Sequence, residues 1–135
     1  MGVACRSIAE SATPLVSALG LTDVALEEVP SQKARMQFLA AGETHVELLE
    51  STSPDGPIAK FIEKRGEGLH HIALLVSDLD VALTEARAAG LRLVDEFPRP
   101  GARGARIAFL HPKSTGGVLI ELVERPTPNR QAGSA

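Results

Sequence analysis

The chain has 135 residues, 44% of them hydrophobic and 23% charged, a balance that fits one globular domain and excludes two large ones. Its net charge is −3 and its aromatics are four Phe with no Trp or Tyr, so neither a basic footprint nor base-stacking platforms point to nucleic acid. The single Cys5 precludes an internal disulfide, no apolar run approaches the ~20 residues of a membrane helix, and no basic-then-apolar leader opens the chain, so the expected setting is the cytoplasm.

In chain order, a short strand Gly2 to Cys5 leads to a helix from about Ile8 to Leu19, then to strands near Val24 to Val29, Ala34 to Ala40 and His45 to Leu49. A connector helix over about 54–66 follows, with Asp55 as its cap, Pro57 in its first turn and Ile58, Phe61 and Ile62 as its apolar stripe. His71 to Val76 alternates as a strand. Ser77 and Asp80 form a serine-x-x-acid cap for a helix in which Leu79, Ala82, Leu83 and Ala86 recur at helical spacing, and Gly90 ends it. A strand Arg92 to Glu96, a Pro/Gly-rich turn Pro98 to Gly104 and strands Arg106 to His111 and Val118 to Glu124 complete the pattern. Residues 126–135 show no periodicity and read as a disordered tail.

The two halves repeat. Arg35-Met36-Gln37-Phe38-Leu39 is echoed by Arg106-Ile107-Ala108-Phe109-Leu110, 71 residues on, and Ile8 by Leu79 at the same offset. Val46 to Glu50 matches Ile120 to Glu124 at an offset of 74, because the second copy carries a loop three residues longer. Each copy reads strand, helix, strand, strand, strand. The expected fold is α+β, a single domain over 1–125 built from two βαβββ modules, about 1–50 and 69–125.

Glu47 and Glu121 lie at equivalent positions inside apolar strands, where a carboxylate needs solvent, a cation or a metal. Their equivalence points to a shared site on the pseudo-twofold axis, and His71, opening the second module's first strand, can complete a His/Glu/Glu set for a divalent metal. The counterpart of His71 falls one position before Met1; a fourth ligand is expected just upstream, with water or a degenerate site as alternatives. His70 points to the opposite face, in a packing role or bonded to the ligand set. His45 shares the face of Glu47 but reads as an ordinary, partly exposed histidine. His111, at a strand end, is a candidate for polar lining at the site mouth. Arg99, Arg103, Arg106 and Lys113 crowd one stretch and form either a small-phosphate site or a solvated loop.

The stretches Ser53-Pro-Asp-Gly-Pro-Ile-Ala-Lys-Phe-Ile-Glu-Lys-Arg-Gly-Glu-Gly-Leu-His-His-Ile-Ala73 and Phe109-Leu-His-Pro-Lys-Ser-Thr-Gly-Gly-Val-Leu-Ile-Glu-Leu122 resemble the methylmalonyl-CoA epimerase family of the vicinal oxygen chelate superfamily, and the likeness runs from about Gly2 to Glu124. The resemblance implies paired βαβββ modules curled into a mixed sheet around a metal-binding cup, in a homodimer. It carries the metal ligands onto Glu47, His71 and Glu121. The family opens its first strand with a histidine, and Met1-Gly2-Val3-Ala4 matches the residues after that histidine, which implies a start assigned late.

The implied reaction interconverts (2R)- and (2S)-methylmalonyl-CoA in propionyl-CoA metabolism by removal and return of the C2 proton through a metal-stabilised enolate. Inversion needs acid/base groups on both faces, with Glu121 the first candidate and Glu47 the second. Some members place a carboxylate on the strand aligned with Arg35 to Phe38, where this chain has Met36 and Gln37. Lys113 and Ser114, in the loop ending at Gly117, and His111 are the candidates for contacting the acyl-CoA. The implied cofactor is a divalent metal, cobalt by resemblance, with manganese, zinc or nickel compatible with the ligands. The alternatives are a glyoxalase-like lyase or isomerase of the same superfamily and a metal-free small-molecule-binding protein.

Overall fold

The computed structural model describes residues 1–127. In chain order these form β1 (Gly2–Ala4), α1 (Ile8–Leu19), β2 (Thr22–Val29), β3 (Ala34–Ala41), β4 (Thr44–Ser51), α2 (Pro57–Arg65), β5 (Gly68–Leu75), α3 (Leu79–Ala88), β6 (Arg99–Pro100), β7 (Arg106–Leu110) and β8 (Ile120–Glu124). The strands make one curled mixed sheet in the order β2-β3-β4-β1-β5-β8-β7-β6. Strands β1 and β4 run parallel, as do β5 and β8, and the antiparallel pair β1–β5 joins the two βαβββ modules at the pseudo-twofold axis.

The repeat in sequence is a repeat in contacts. Ser7 caps α1 by accepting from the Glu10 N–H at 3.2 Å, and Asp78 caps α3 by accepting from the Val81 N–H at 3.0 Å. The first N–H of each helix is also taken by a glutamate at the end of its module's last strand: Ile8 donates to Glu50 at 2.8 Å and Leu79 to Glu124 at 2.6 Å. A carboxylate is favoured at a helix N-terminus, and here it also stitches helix to sheet. Equivalent arginines hold both, Arg35 at 3.6 Å from Glu50 and Arg106 at 3.2 Å from Glu124.

On the convex face α1 lays Ile8 and Ala12 on Leu39 and Leu48, and α3 lays Leu79, Leu83 and Ala86 on Ala108, Leu110 and Leu122. Burial of each of these leucines contributes about 1.5–3 kcal/mol. On the other face α2 packs Ile58 against Ala4, Ala34, Met36 and Leu49, so the connector helix fills one side of module one and leaves the centre of the cup open.

The structure departs from the sequence expectations in three places. Asp55 does not cap α2; Gly56 stands at the cap, and the Asp55 carboxylate is drawn to the Lys33 ammonium at 2.6 Å and to the Ser53 hydroxyl. Asp78, rather than Ser77 with Asp80, caps α3, while Asp80 is held by Arg106 at 3.1 Å. The strand expected over Arg92 to Glu96 reduces to a bridge between Leu93 and Leu110. There the Asp95 carboxylate takes the Phe109 N–H at 2.9 Å and binds Arg99 at 3.1 Å, and Pro98 and Pro100 have no N–H to extend a ladder. Of the expected tail, 128–135 lies outside the described residues. No helix among the described residues is long and apolar enough to cross a membrane.

Candidate metal centre

Register brings the three chemistry-bearing side chains together at the axis. Gly2 of β1 is paired with Glu47 on one side and His71 on the other, while Glu121 is paired with Ala73 of β5 and Phe109 of β7. His71 Nε2 lies 3.5 Å from Glu47 Oε2 and 3.8 Å from Glu121 Oε1, and all three side chains are buried. Gly2 permits this approach. A Cβ at that position would stand 2.2 Å from His71 Cε1, so the imidazole occupies the space a side chain would fill.

The His71 ring is oriented from both sides. Its Nδ1 lies 3.0 Å from Nδ1 of His70, and Phe109 meets it edge-on with ring centroids 5.6 Å apart. His70 in turn packs edge-on against Phe61 of α2, with centroids 4.9 Å apart. Burial, with the neighbouring His71, pushes the His70 pKa down to about 4, which keeps its ring neutral at pH 7 and able to accept from an Nδ1–H of His71. In that tautomer Nε2 of His71 is left as a bare lone pair facing the two carboxylates.

That Nε2 is buried without a hydrogen-bond partner. An orphaned buried nitrogen is unfavourable unless something takes its lone pair. One donor atom from each of Glu47, His71 and Glu121 lies within 4.8 Å of the others, and one imidazole with two carboxylates is a donor set for a first-row divalent cation. The residues fit such an ion. Burial, with the Glu47 charge, pushes the Glu121 pKa up to about 7 against the pull of His71 and Arg99. A carboxyl poised there can both donate and accept a proton at neutral pH.

Glu47 and Glu121 border a cavity of about 530 Å³ in the cup, lined also by Met36, Phe38, His45, Leu75, Arg103 and Ile107, while His71 borders a separate groove of about 380 Å³. Residues 1–109 match the profile of the Glyoxalase/Bleomycin resistance protein/Dioxygenase superfamily. The chain is 41% identical over 124 residues to the uncharacterised Bacillus subtilis protein YqjC, covering 92% of this chain and 89% of that one. It is 32% identical over 124 residues to the ethylmalonyl-CoA/methylmalonyl-CoA epimerase of Cereibacter sphaeroides, covering 90% of this chain and 92% of that one. A solved methylmalonyl-CoA epimerase in complex with methylmalonyl-CoA and NH4+ superposes with a TM-score of 0.89 at 34% identity, over 93% of this chain and 92% of that one. The chain belongs to the methylmalonyl-CoA epimerase family of this superfamily. It spans about half, 54%, of the length of the mitochondrial epimerases of Bos taurus and Homo sapiens.

The other candidate residues of this family member fall elsewhere. His111 Nδ1 accepts from the Lys113 N–H at 3.1 Å and Ser114 Oγ accepts from the Arg92 N–H at 2.9 Å, so both side chains hold their own loop together. With Lys113 they stand off the cup lining, on the loop whose Pro112, Gly117 and Val118 border a groove of about 380 Å³ against Lys60, Phe61 and Lys64 of α2. His45 does line the cup. The four clustered cations disperse: Arg99 to Asp95, Arg106 to Asp80 and Glu124, Lys113 to its loop, and Arg103 alone to the cup. Sequence reasoning missed Gly2 and the two phenylalanines of the repeat, Phe38 and Phe109, which sit opposite Glu47 and Glu121 in register. Recurrence at the repeat offset was the signal for the phenylalanines; Gly2 had none.

Proposed function

We propose that the protein is a metal-dependent epimerase that interconverts (2R)- and (2S)-methylmalonyl-CoA. The observation that carries the reading is the convergence of Glu47 and Glu121 on the unpartnered, buried Nε2 of His71 in a cup large enough for the acyl group. The family supports the substrate: one relative's structure holds methylmalonyl-CoA itself. Glu47, His71 and Glu121 hold the cation, for which cobalt is proposed, with manganese, zinc or nickel also suited to the donors. Bound there, a divalent ion supplies Lewis acidity that stabilises negative charge on carbonyl and carboxylate oxygens.

The chain's own groups move the proton. Glu121 takes it from C2 on one face, and the electron pair of that C–H bond moves onto the thioester oxygen. Glu47, entering the step as the carboxylic acid, gives its proton to the other face as the pair falls back to carbon, which inverts the centre. The step leaves Glu121 protonated and Glu47 ionised, and proton exchange with solvent or the reverse reaction resets the pair. Glu121 suits the first role because its carboxylate lines the cup, and one oxygen facing His71 leaves the second for the substrate. Lys113 and the N–H groups near Gly117 contact the CoA portion, with Ser114 and His111 shaping that loop. The reading extends to a homodimer working in the cytoplasm, which light scattering and cell fractionation check.

Solvent deuterium wash-in at C2 of methylmalonyl-CoA with added Co²⁺ tests the proposal. Exchange with interconversion of the epimers is the expected result; a protein that binds Co²⁺ and exchanges nothing overturns it. One observation favours a second reading, a glyoxalase-like isomerase or lyase: the cup-lining residues of β3, Met36 and Phe38, offer no acid. Turnover of a hemithioacetal, with no wash-in on the acyl-CoA, would establish that reading instead.

A further inference from the structure

The segment from Arg99 to Ala105 leaves module two and crosses to module one at the rim of the cup. Its attachments there are specific: the Ser31 hydroxyl donates to the Pro100 carbonyl at 3.2 Å, the Arg103 N–H donates to Glu27 Oε2 at 2.8 Å, and Ala102 packs on the core of module one. At its tip Arg103 has φ 57 and ψ 34, a left-handed conformation that only glycine adopts without strain. Glu27 holds it there. The Arg103 guanidinium lies over the Phe38 ring at 5.6 Å from its centroid and borders the same cavity as Glu47 and Glu121. Among the described residues it enters no ion pair, whereas Arg99 and Arg106 on the same stretch are each bound to carboxylates.

We propose that Arg103 binds an anionic group of the ligand at the mouth of the cup, where the strap between the modules holds its unpaired guanidinium over Phe38 beside the carboxylate pair. This rests on the epimerase reading. Charge favours a guanidinium there. Glu43, Glu47 and Glu121 on the cavity lining oppose an anionic ligand. A guanidinium at the mouth attracts the anion and, through its planar fork, fixes its orientation. The cation–π contact with Phe38 leaves its N–H donors free for a ligand. Arg125 is the other guanidinium on the lining, beyond the end of β8. Arg103 is the one anchored by backbone, ring and a carboxylate from the opposite module. The anion is either the acyl carboxylate or a phosphate of the CoA portion; both present the same oxygens to a guanidinium.

The test compares the parent with Arg103→Gly, Arg103→Lys and Arg125→Ala by C2 deuterium wash-in with Co²⁺, using methylmalonyl-CoA and methylmalonyl-pantetheine, which lacks the phosphates. Arg103→Gly fits the left-handed backbone, so its melting temperature should stay level or rise. Its KM should rise about tenfold or more, the loss expected for a charge-assisted hydrogen bond, with a smaller change in kcat, and Arg103→Lys should recover part of the loss. A loss on both substrates assigns the carboxylate; a loss on the CoA ester alone assigns the phosphate. KM values unchanged in both Arg103 variants, or a loss confined to Arg125→Ala, overturn the inference while leaving the epimerase reading in place. A parent that exchanges no deuterium overturns both.

Discussion

Module one closes its outer edge with β2, eight residues paired along β3; module two reaches its outer edge with β6, only two residues long. The parts that hold each module together are nonetheless the same. Ser7 and Asp78 cap equivalent helices, Glu50 and Glu124 accept their first N–H groups, and Arg35 and Arg106 brace those carboxylates. The duplicated contacts specify the frame, and the unduplicated ones specify the cup. Where module two gives up a strand, Asp95 and two prolines free a segment that becomes the strap over the cavity. At the axis the asymmetry is sharper, since Gly2 on β1 leaves room for the His71 imidazole from β5.

The largest effect should separate the two equivalent glutamates. Glu121→Gln is expected to lower C2 exchange by about 10²–10⁴-fold, the range for losing a positioned acid–base group, and Glu47→Gln by less, because Glu121 is the group assigned to take the C2 proton. Equal losses in kcat would mean that the modules contribute alike.

Titration of the metal-free protein provides the next test. Glu121 is raised from 4.5 to about 7 in the fold, so its contribution to stability is fully present below pH 4.5 and is lost as pH rises to about 7, roughly 3 kcal/mol at 1.36 per unit. His70 is lowered from 6.5 to about 4, so the fold loses stability as pH falls from 6.5 towards 4. The two slopes oppose each other between them. Denaturant unfolding of the parent should therefore be nearly flat over this window, while Glu121→Gln should gain stability as pH rises from 4 to 6.5. A flat profile in that variant would refute the assignment.

Gly2→Ala probes the axis. The new Cβ would collide with the His71 ring, at a cost of about 1–3 kcal/mol in unfolding free energy and with weaker Co²⁺ binding by titration calorimetry. Unaltered Co²⁺ affinity would show that the ring can move without loss. The smallest effects belong to the frame. Ser7→Ala and Asp78→Ala should each lower stability by about 1 kcal/mol, and a clear difference between them would break the equivalence of the modules.

The fold was legible because local rules dominate it. Period-2 and period-3.6 patterns located β3, α1 and α3, and the repeat offset disclosed the paired modules. Strand alternation also put Glu47 and Glu121 on inward faces at matching positions, and His71 beside them. The errors arose where a side chain chose a distant partner over a local one. Asp55 took Lys33 instead of the N-terminus of α2, and Asp95 took Arg99 and the Phe109 N–H instead of leaving a strand to form.

By itself, then, the sequence determined the duplicated frame and the equivalent positions of Glu47 and Glu121, since both follow from spacing along a strand or helix. Tertiary structure alone decided which of the clustered cations is free, that His70 orients His71, and that Gly2 makes room for the imidazole. Arg103 and Glu27 are 76 residues apart and meet only because the sheet curls. Partners at that separation compete by geometry, and spacing along the chain carries no record of who wins.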